Sequence, residues 1–497
     1  MPNRPNIILI MSDQHNASAM GCACNPIVQT PHLDTLAQQG VRFTNTYCPY
    51  PLCAPSRAGF MSAQYPSDIG IYDNSGSYFF NPQTPTFAHS FGAAGYETIL
   101  CGRMHFGPFD AFHGFEKRIH GDTGNMLSRE IQGEGLNRTN GQTHYAVEVS
   151  GYGKTGGQAF DHSVTKTACD FIANRDPQDR PYVLVVGYFL PHNPLICSKE
   201  DFDFYMAQIP PLEPESQDYL DTLHPALKKW RERRGVDGLT PEQNRRGLAA
   251  YYGLVTELDR NIGRVHETIA ASSQAENTLL AYTSDHGDMT HQHGMWWKSN
   301  FYDGACKIPL IISQPSRLAK NETVSANVSL IDVGPTLLDL AGADPLPDVS
   351  GKSFASFLNG ENPSHWPNEV FSEYGGLLGD YPACMIRTGP WKLNYYSEFD
   401  SCQLFNINED PHERKDRASD PNCLEIIREC LSKIDARWSA DEMQENIAKQ
   451  KRARKMLQSC GHALAPHAPP HFQTPEGSNE FDFSQLPQKP SWSPFEK

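Results

Sequence analysis

The chain has 497 residues, 39% of them hydrophobic and 20% charged, the composition of an ordinary globular protein long enough for a large core and a second, smaller domain. A net charge of −16 argues against a nucleic-acid partner, and against long polyanionic substrates unless a local basic pocket overrides the overall field. Thirteen cysteines scattered through such a length fit reduced thiols better than a disulfide framework, and Cys22 and Cys24 lack the second pair that zinc spacing requires.

In chain order, the apolar run at residues 7–11 is too short for a signal segment or a membrane span, so a soluble, cytoplasmic protein without a membrane partner is expected. Residues 6–11 read as a buried strand, Thr30 and Pro31 open a short helix that Gly40 closes, and residues 41–45 begin another extended stretch. Further strand-like runs lie at 96–101, 181–188 and 278–283. Between the last two, Thr240 and Pro241 start a long helix with Leu248, Tyr252, Val255, Leu258, Ile262 and Val265 on one face. Near-continuous apolar strands of this kind suit an α/β fold: a large, mostly parallel sheet sandwiched by helices.

After about residue 370 the pattern shifts to short strands at 383–387, 391–395 and 402–406 and a helix at 424–438. The expected organisation is a main domain over residues 1–375, a small antiparallel sheet with one helix over 376–440, and a helix with an extended tail over 441–497. The tail carries Phe472, Phe481, Phe483, Trp492 and Phe495, more aromatics than a solvated segment needs, so it is expected to dock on its own domain or on a neighbouring subunit.

Cys53-Ala54-Pro55-Ser56-Arg57 puts a sulfur nucleophile, a helix-starting proline and a permanent positive charge within one turn. With Pro55 at the first helical position, Cys53 would sit at the turn whose free N–H groups attract anions, and the planar fork of Arg57 matches a tetrahedral oxyanion. A buried cysteine at an ordinary helix start is the plain alternative. Asp13 and Gln14 follow the first strand, and Asp285 and His286 follow the strand ending at 283. Ligands collect at the carboxyl ends of parallel strands, so these residues make a candidate site for Ca²⁺ or Mg²⁺, with His286 also admitting Mn²⁺; capping of the following helices would explain each aspartate singly.

These segments, with Gly102-Arg103-Met104-His105, Pro191-His192-Asn193-Pro194 and Ser284-Asp285-His286-Gly287-Asp288 plus Lys298, occur in the order used by type I sulfatases, which the chain resembles from about residue 5 to 440. Within that family it looks most like the choline sulfatase branch, through Pro51-Leu52, Ile71-Tyr72-Asp73-Asn74 and Met104-His105-Phe106. The resemblance implies an alkaline phosphatase-like fold and hydrolysis of a small organic sulfate, choline-like, aryl or carbohydrate. It also implies that a formylglycine-generating maturation enzyme converts Cys53 to formylglycine; a thiol that attacked the ester would be left as a thiosulfate-type adduct needing separate hydrolysis, whereas the second hydroxyl of the hydrated aldehyde expels sulfate without a hydrolytic water.

By the same resemblance Asp13, Gln14, residue 53, Asp285 and His286 hold the divalent ion, usually Ca²⁺. Arg57 steadies the modified side chain, Asp285 accepts the attacking hydroxyl's proton, and His105 takes the remaining one. His192 and Lys298 face the ester oxygen, Arg103 binds the sulfate where the family usually has Lys, and Asn74 falls near the ammonium end of a choline pocket. Tyr72, Trp296 and Trp297 are candidates for an aromatic wall or for core. A homo-oligomer is expected, although the tail differs from that of choline sulfatases, which helps to complete their pocket. Two other readings stay open: a phosphonate monoester or phosphodiester hydrolase of the same fold, and a non-catalytic anion-binding relative with an unmodified Cys53.

Overall fold

In the computed structural model, which describes residues 4–75, 80–106, 112–123, 136, 139, 141–376, 381–459, 475 and 477–491, strand β1 (Asn6–Asp13) runs between two apolar cores. Ile7, Leu9 and Met11 enter one core and Ile8 and Ile10 the other, which is why its apolar sequence is continuous rather than alternating. Each such buried side chain stabilises the fold by about 1.5–3 kcal/mol.

The strands that follow are β2 (Val41–Tyr47), β3 (Glu97–Gly102), β4 (Lys117–His120), β5 (Gly151–Lys154), β6 (Tyr182–Pro191), β7 (Ile196–Cys197), β8 (Thr278–Ser284), β9 (Lys307–Ser313) and β10 (Glu322–Ser329). The main sheet has the order β10-β2-β9-β8-β1-β6-β3-β4, and of these strands only β9 runs against the rest. The helices used below are α1 (Pro31–Gln39), α2 (Cys53–Ser62), α3 (Gly156–Ala173), α4 (Pro225–Arg234) and α5 (Pro241–Ala271). The sheet is the large, mostly parallel one expected. Helix α5 begins at the predicted cap: the Thr240 hydroxyl accepts from the Gln243 N–H at 3.2 Å while the Gln243 side chain accepts from the Thr240 N–H at 2.8 Å.

The four central strands β8, β1, β6 and β3 are parallel neighbours, so their carboxyl ends open on one side of the sheet. Between β6 and β3 the backbones approach so closely that a Cβ at Gly187 would lie 1.7 Å from the Arg103 carbonyl oxygen. Only glycine fits there, and the close approach lets Arg103 turn under the end of β6.

The small sheet is an antiparallel meander of β11 (Glu369–Tyr374), β12 (Ala383–Thr388), β13 (Trp391–Tyr396) and β14 (Ser401–Asn406), packed against α6 (Leu424–Asp435). Its first strand starts before the boundary expected at residue 375. One apolar cluster runs unbroken from Ile7 and Leu9 through Ile386 and Leu393 to Ile434, Met443 and Ile447, the last two on α7 (Ala440–Ser459). The three segments therefore share a core. The tail returns to its own chain: β15 (Glu480–Phe481) pairs with β5, and Phe481, Phe483 and Leu486 pack on Leu136, Val149 and Ile196. Phe472, Trp492 and Phe495 lie outside the described residues. Among the described residues no helix is long and apolar enough to cross a membrane.

Candidate active site

Helix α2 starts two residues earlier than Pro55 predicts: Leu52 is the cap, Cys53 the first helical residue and Pro55 the third. The third position also has no partner for an N–H within its helix, so the proline costs nothing there. Cys53 is fully enclosed, and its Sγ lies 3.1 Å from His286 Nε2, 3.1 Å from Lys298 Nζ and 3.6 Å from Asp13 Oδ1. Its neighbour Ala54 donates its N–H to Asn74 Oδ1 at 3.1 Å. Asn74, expected at a choline pocket, thus has its amide oxygen engaged in capping the nucleophile's helix.

Two arginines orient the carboxylates. Arg57 Nε donates to Asp285 Oδ2 at 2.8 Å and Arg57 Nη2 to Asp13 Oδ2 at 3.2 Å, while Arg103 Nε holds the same Asp13 oxygen at 2.7 Å. With the outer oxygens taken, Asp13 Oδ1 and Asp285 Oδ1 turn inward and stand 3.8 and 3.5 Å from His286 Nε2. Burial alone would raise the Asp13 carboxyl, but the charges of Arg103, Lys298 and Arg57 hold it well below its ordinary range, so it is ionised.

His286 Nδ1 faces the Gly287 carbonyl oxygen at 3.0 Å. A carbonyl only accepts, so this nitrogen carries the proton and Nε2 presents a lone pair to the cluster. Burial pushes the ring down to about 4, against the pull of Asp285, so it is neutral at physiological pH. One ligand atom each from Asp13, Cys53, Asp285 and His286 lies within 4.8 Å of all the others. Two ionised or ionisable oxygens and a correctly oriented imidazole fit a divalent cation. Gln14, at φ 71°, points Oε1 at Lys298 Nζ (2.7 Å) and so stands at the edge of the same group.

Of the remaining expected residues, His105 is half-buried at φ 61°, and its ring hydrogen-bonds the Cys53 side chain; burial lowers its basicity. His192 follows β6 with Nδ1 fixed on the Asn193 carbonyl at 2.7 Å, and burial followed by the Lys298 charge holds it well below the usual range. Every catalytic or metal residue expected from sequence is thereby brought to one end of the sheet. Trp296 and Trp297 are both fully buried within one of the two apolar cores, and Trp296 Nε1 donates to Asn244 Oδ1 at 2.8 Å.

Sequence reasoning missed two carboxylates. Asp288 Oδ2 accepts from Gln14 Nε2 at 2.7 Å, and its Oδ1 accepts from the Thr290 N–H at 2.7 Å and the Trp297 N–H at 3.0 Å, so it sets both Gln14 and the turn into Lys298. Asp122 Oδ2 accepts from the N–H groups of Met104 (3.0 Å) and His105 (2.8 Å). Burial would raise Asp122, but Arg103 and Arg118 hold it below its ordinary range. It lies two residues beyond the end of β4, as Asp13 lies at the end of β1, so the strand-end rule would have found it had that four-residue strand been recognised.

The sulfatase family's sequence profile matches residues 5–343, and that of the N-sulphoglucosamine sulphohydrolase C-terminal region matches residues 291–439. This chain is a member of the sulfatase family. It is 33% identical over 438 residues to a choline-sulfatase of Rhizobium meliloti, covering 84% of this chain and 83% of the relative, and 29% identical over 441 residues to an arylsulfatase of Clostridium perfringens, covering 82% and 89%. In fold it is similar to a phosphonate monoester hydrolase of Agrobacterium radiobacter, with a TM-score of 0.74, 21% identity, and coverage of 87% of this chain and 95% of the other. This sulfatase is a sulfuric ester hydrolase with the sheet architecture of the alkaline phosphatase-like enzymes.

Proposed function

We propose that this sulfatase cleaves a small organic sulfate, choline-like, aryl or carbohydrate, with a formylglycine made from Cys53 by a separate maturation enzyme and a divalent cation, Ca²⁺ ahead of Mg²⁺ or Mn²⁺. The observation that carries the reading is the convergence of Asp13, Asp285, His286 and Cys53 within 4.8 Å at the carboxyl ends of adjacent parallel strands. The Cys53 sulfur marks where the oxygens of the modified residue would stand. Asp13, Gln14, Asp285 and His286 would hold the cation with residue 53; when bound, it supplies charge that draws in sulfate oxygens and favours an ionised hydroxyl.

The side chains supply the rest. Arg57 fixes residue 53's surroundings by clamping both carboxylates, and Arg103, permanently charged and held by Asp13, contributes charge toward sulfate without exchanging protons. His105, kept neutral by burial and in contact with residue 53, accepts a proton from it. Burial makes His192 a weak base, so the proton for the departing alkoxide or phenoxide falls to the ammonium of Lys298.

Mass spectrometry of the peptide containing residue 53, from protein co-produced with a maturation enzyme, is expected to show formylglycine; full turnover by a protein carrying only the thiol would sink the proposal. Paired aryl sulfate and aryl phosphonate esters are expected to favour the sulfate, whereas a preference for the phosphonate would replace this reading with the phosphonate monoester hydrolase.

A further inference from the structure

Arg234 closes helix α4 and is 3% exposed. Its guanidinium lies 4.2 Å over the Trp230 ring, and Nη2 donates to Gln142 Oε1 at 2.9 Å. Nε and Nη1 are buried without a hydrogen-bond acceptor, and no carboxylate among the described residues pairs with this charge. Burial lowers the guanidinium to about 10, against the opposing influence of the nearby Tyr374 hydroxyl, which leaves it protonated at neutral pH. A buried positive charge with two donors unmet is costly in the protein alone and calls for an anion.

Its place in the fold says which anion. Gln142 also accepts from Ser299 Oγ at 3.2 Å, and the Ser299 N–H donates to the Pro51 carbonyl at 3.1 Å. Ser299 follows Lys298, whose ammonium touches Cys53, and Pro51 precedes Cys53 by two residues. Trp230, beneath the guanidinium, donates Nε1 to the Lys298 carbonyl at 3.2 Å. Arg234 thus stands one layer behind the wall of the nucleophile's pocket. Its enclosure is no greater obstacle than that of Cys53, which is 0% exposed.

We propose that Arg234 is a specificity residue that receives a second oxyanion, a carboxylate or sulfate, borne by the same small molecule whose sulfate ester reaches residue 53. The proposal rests on the sulfatase reading above and narrows it: the substrate is an anionic sulfate ester, and a cationic one such as choline sulfate would be repelled. A local basic group of this kind is what an acidic protein needs to accept a multiply charged anion.

The test is steady-state kinetics of the formylglycine-bearing protein on (para-sulfooxyphenyl)acetate, the corresponding methanesulfonate and the neutral acetamide, whose leaving groups are closely matched. The two anionic esters are expected to exceed the amide by about 10–100-fold in kcat/KM, the range of a hydrogen bond to a charged group. In Arg234→Gln that ratio is expected to collapse toward unity, while Arg234→Lys retains part of it. Arg234→Met removes an uncompensated buried charge and is expected to melt no lower than the parent. Equal rates on all three esters in the parent protein, or an undiminished ratio in Arg234→Gln, would overturn the proposal. Failure of every ester despite confirmed formylglycine would instead overturn the sulfatase reading beneath it.

Discussion

Two clusters of buried charge lie within this fold and are built differently. Between the main and small sheets, Lys392 Nζ sits 2.6 Å from Asp303 Oδ1 and 2.8 Å from Glu413 Oε1, the Glu413 carboxylate also accepts from the Asp303 N–H at 2.6 Å, and Arg387 donates to the Tyr47 hydroxyl. Lys392 meets two carboxylates there, Arg387 joins them through the Tyr47 hydroxyl, which donates to Asp303 Oδ1 at 3.0 Å, and the cluster closes on itself. At the strand ends the arginines occupy only the outer carboxylate oxygens, so Asp13 Oδ1, Asp285 Oδ1, His286 Nε2 and the Cys53 sulfur face a common point. The first arrangement fastens two layers together. The second is directed at something other than protein.

The sharpest way to separate the two is Cys53→Ala, which is expected to reduce turnover by about 10⁴-fold or more while leaving the melting temperature near that of the parent. Substantial residual sulfatase activity would show that the convergent cluster is not the reacting one. Conversely, Lys392→Ala leaves Asp303 and Glu413 buried without their partner and is expected to cost about 3–5 kcal/mol in denaturant unfolding. A stability change under 1 kcal/mol would mean that the junction is not fastened by charge.

A smaller effect is expected at Asp122, which touches no reacting atom but fixes the left-handed turn of His105. Asp122→Asn keeps one oxygen for the turn but sets its NH₂ against the Thr123 N–H that Oδ1 accepts at 2.7 Å and removes the charge facing Arg103 and Arg118; it is expected to lower kcat by about 10²-fold, the usual consequence of a misplacement near 1 Å, with little change in KM. A KM effect alone would contradict the positioning role.

The smallest effect is a pH slope. Asp161 on α3 accepts from the N–H groups of Phe189 (2.7 Å) and Leu190 (2.9 Å), bracing the strand end that carries His192, and burial pushes its carboxyl up to about 8. The unfolded chain releases this proton near pH 4, so between pH 4 and 8 the folded state binds more protons and stability falls as pH rises. Asp161→Asn is expected to flatten that fall; an unchanged pH–stability curve would refute the linkage.

What the sequence disclosed follows from how strongly each feature is written into residue order. Strand β1 and helix α5 announce themselves through continuous apolar residues and a Thr-Pro start, and the nucleophile's segment through its cysteine, proline and arginine. The start of α2 was misplaced by two residues because proline suits several positions of a first turn. Strands β4, β7 and β15, of two to four residues, carry no periodicity to read. Asp122 was lost with β4. Arg234 lies in Lys228-Lys229-Trp230-Arg231-Glu232-Arg233-Arg234, which reads as a solvated charged helix; only packing reveals which of these side chains is driven inside.

The return of residues 477–491 to β5 has a consequence for solution behaviour. Through two residues of pairing, Glu480 and Phe481 cover the outer rim of a ribbon whose other side is already joined to β7, and Phe481 and Phe483 roof the apolar patch of Val149 and Ile196. Shortening the chain before residue 477 would bare a line of backbone donors and acceptors beside greasy side chains, the combination that invites strand-to-strand self-association.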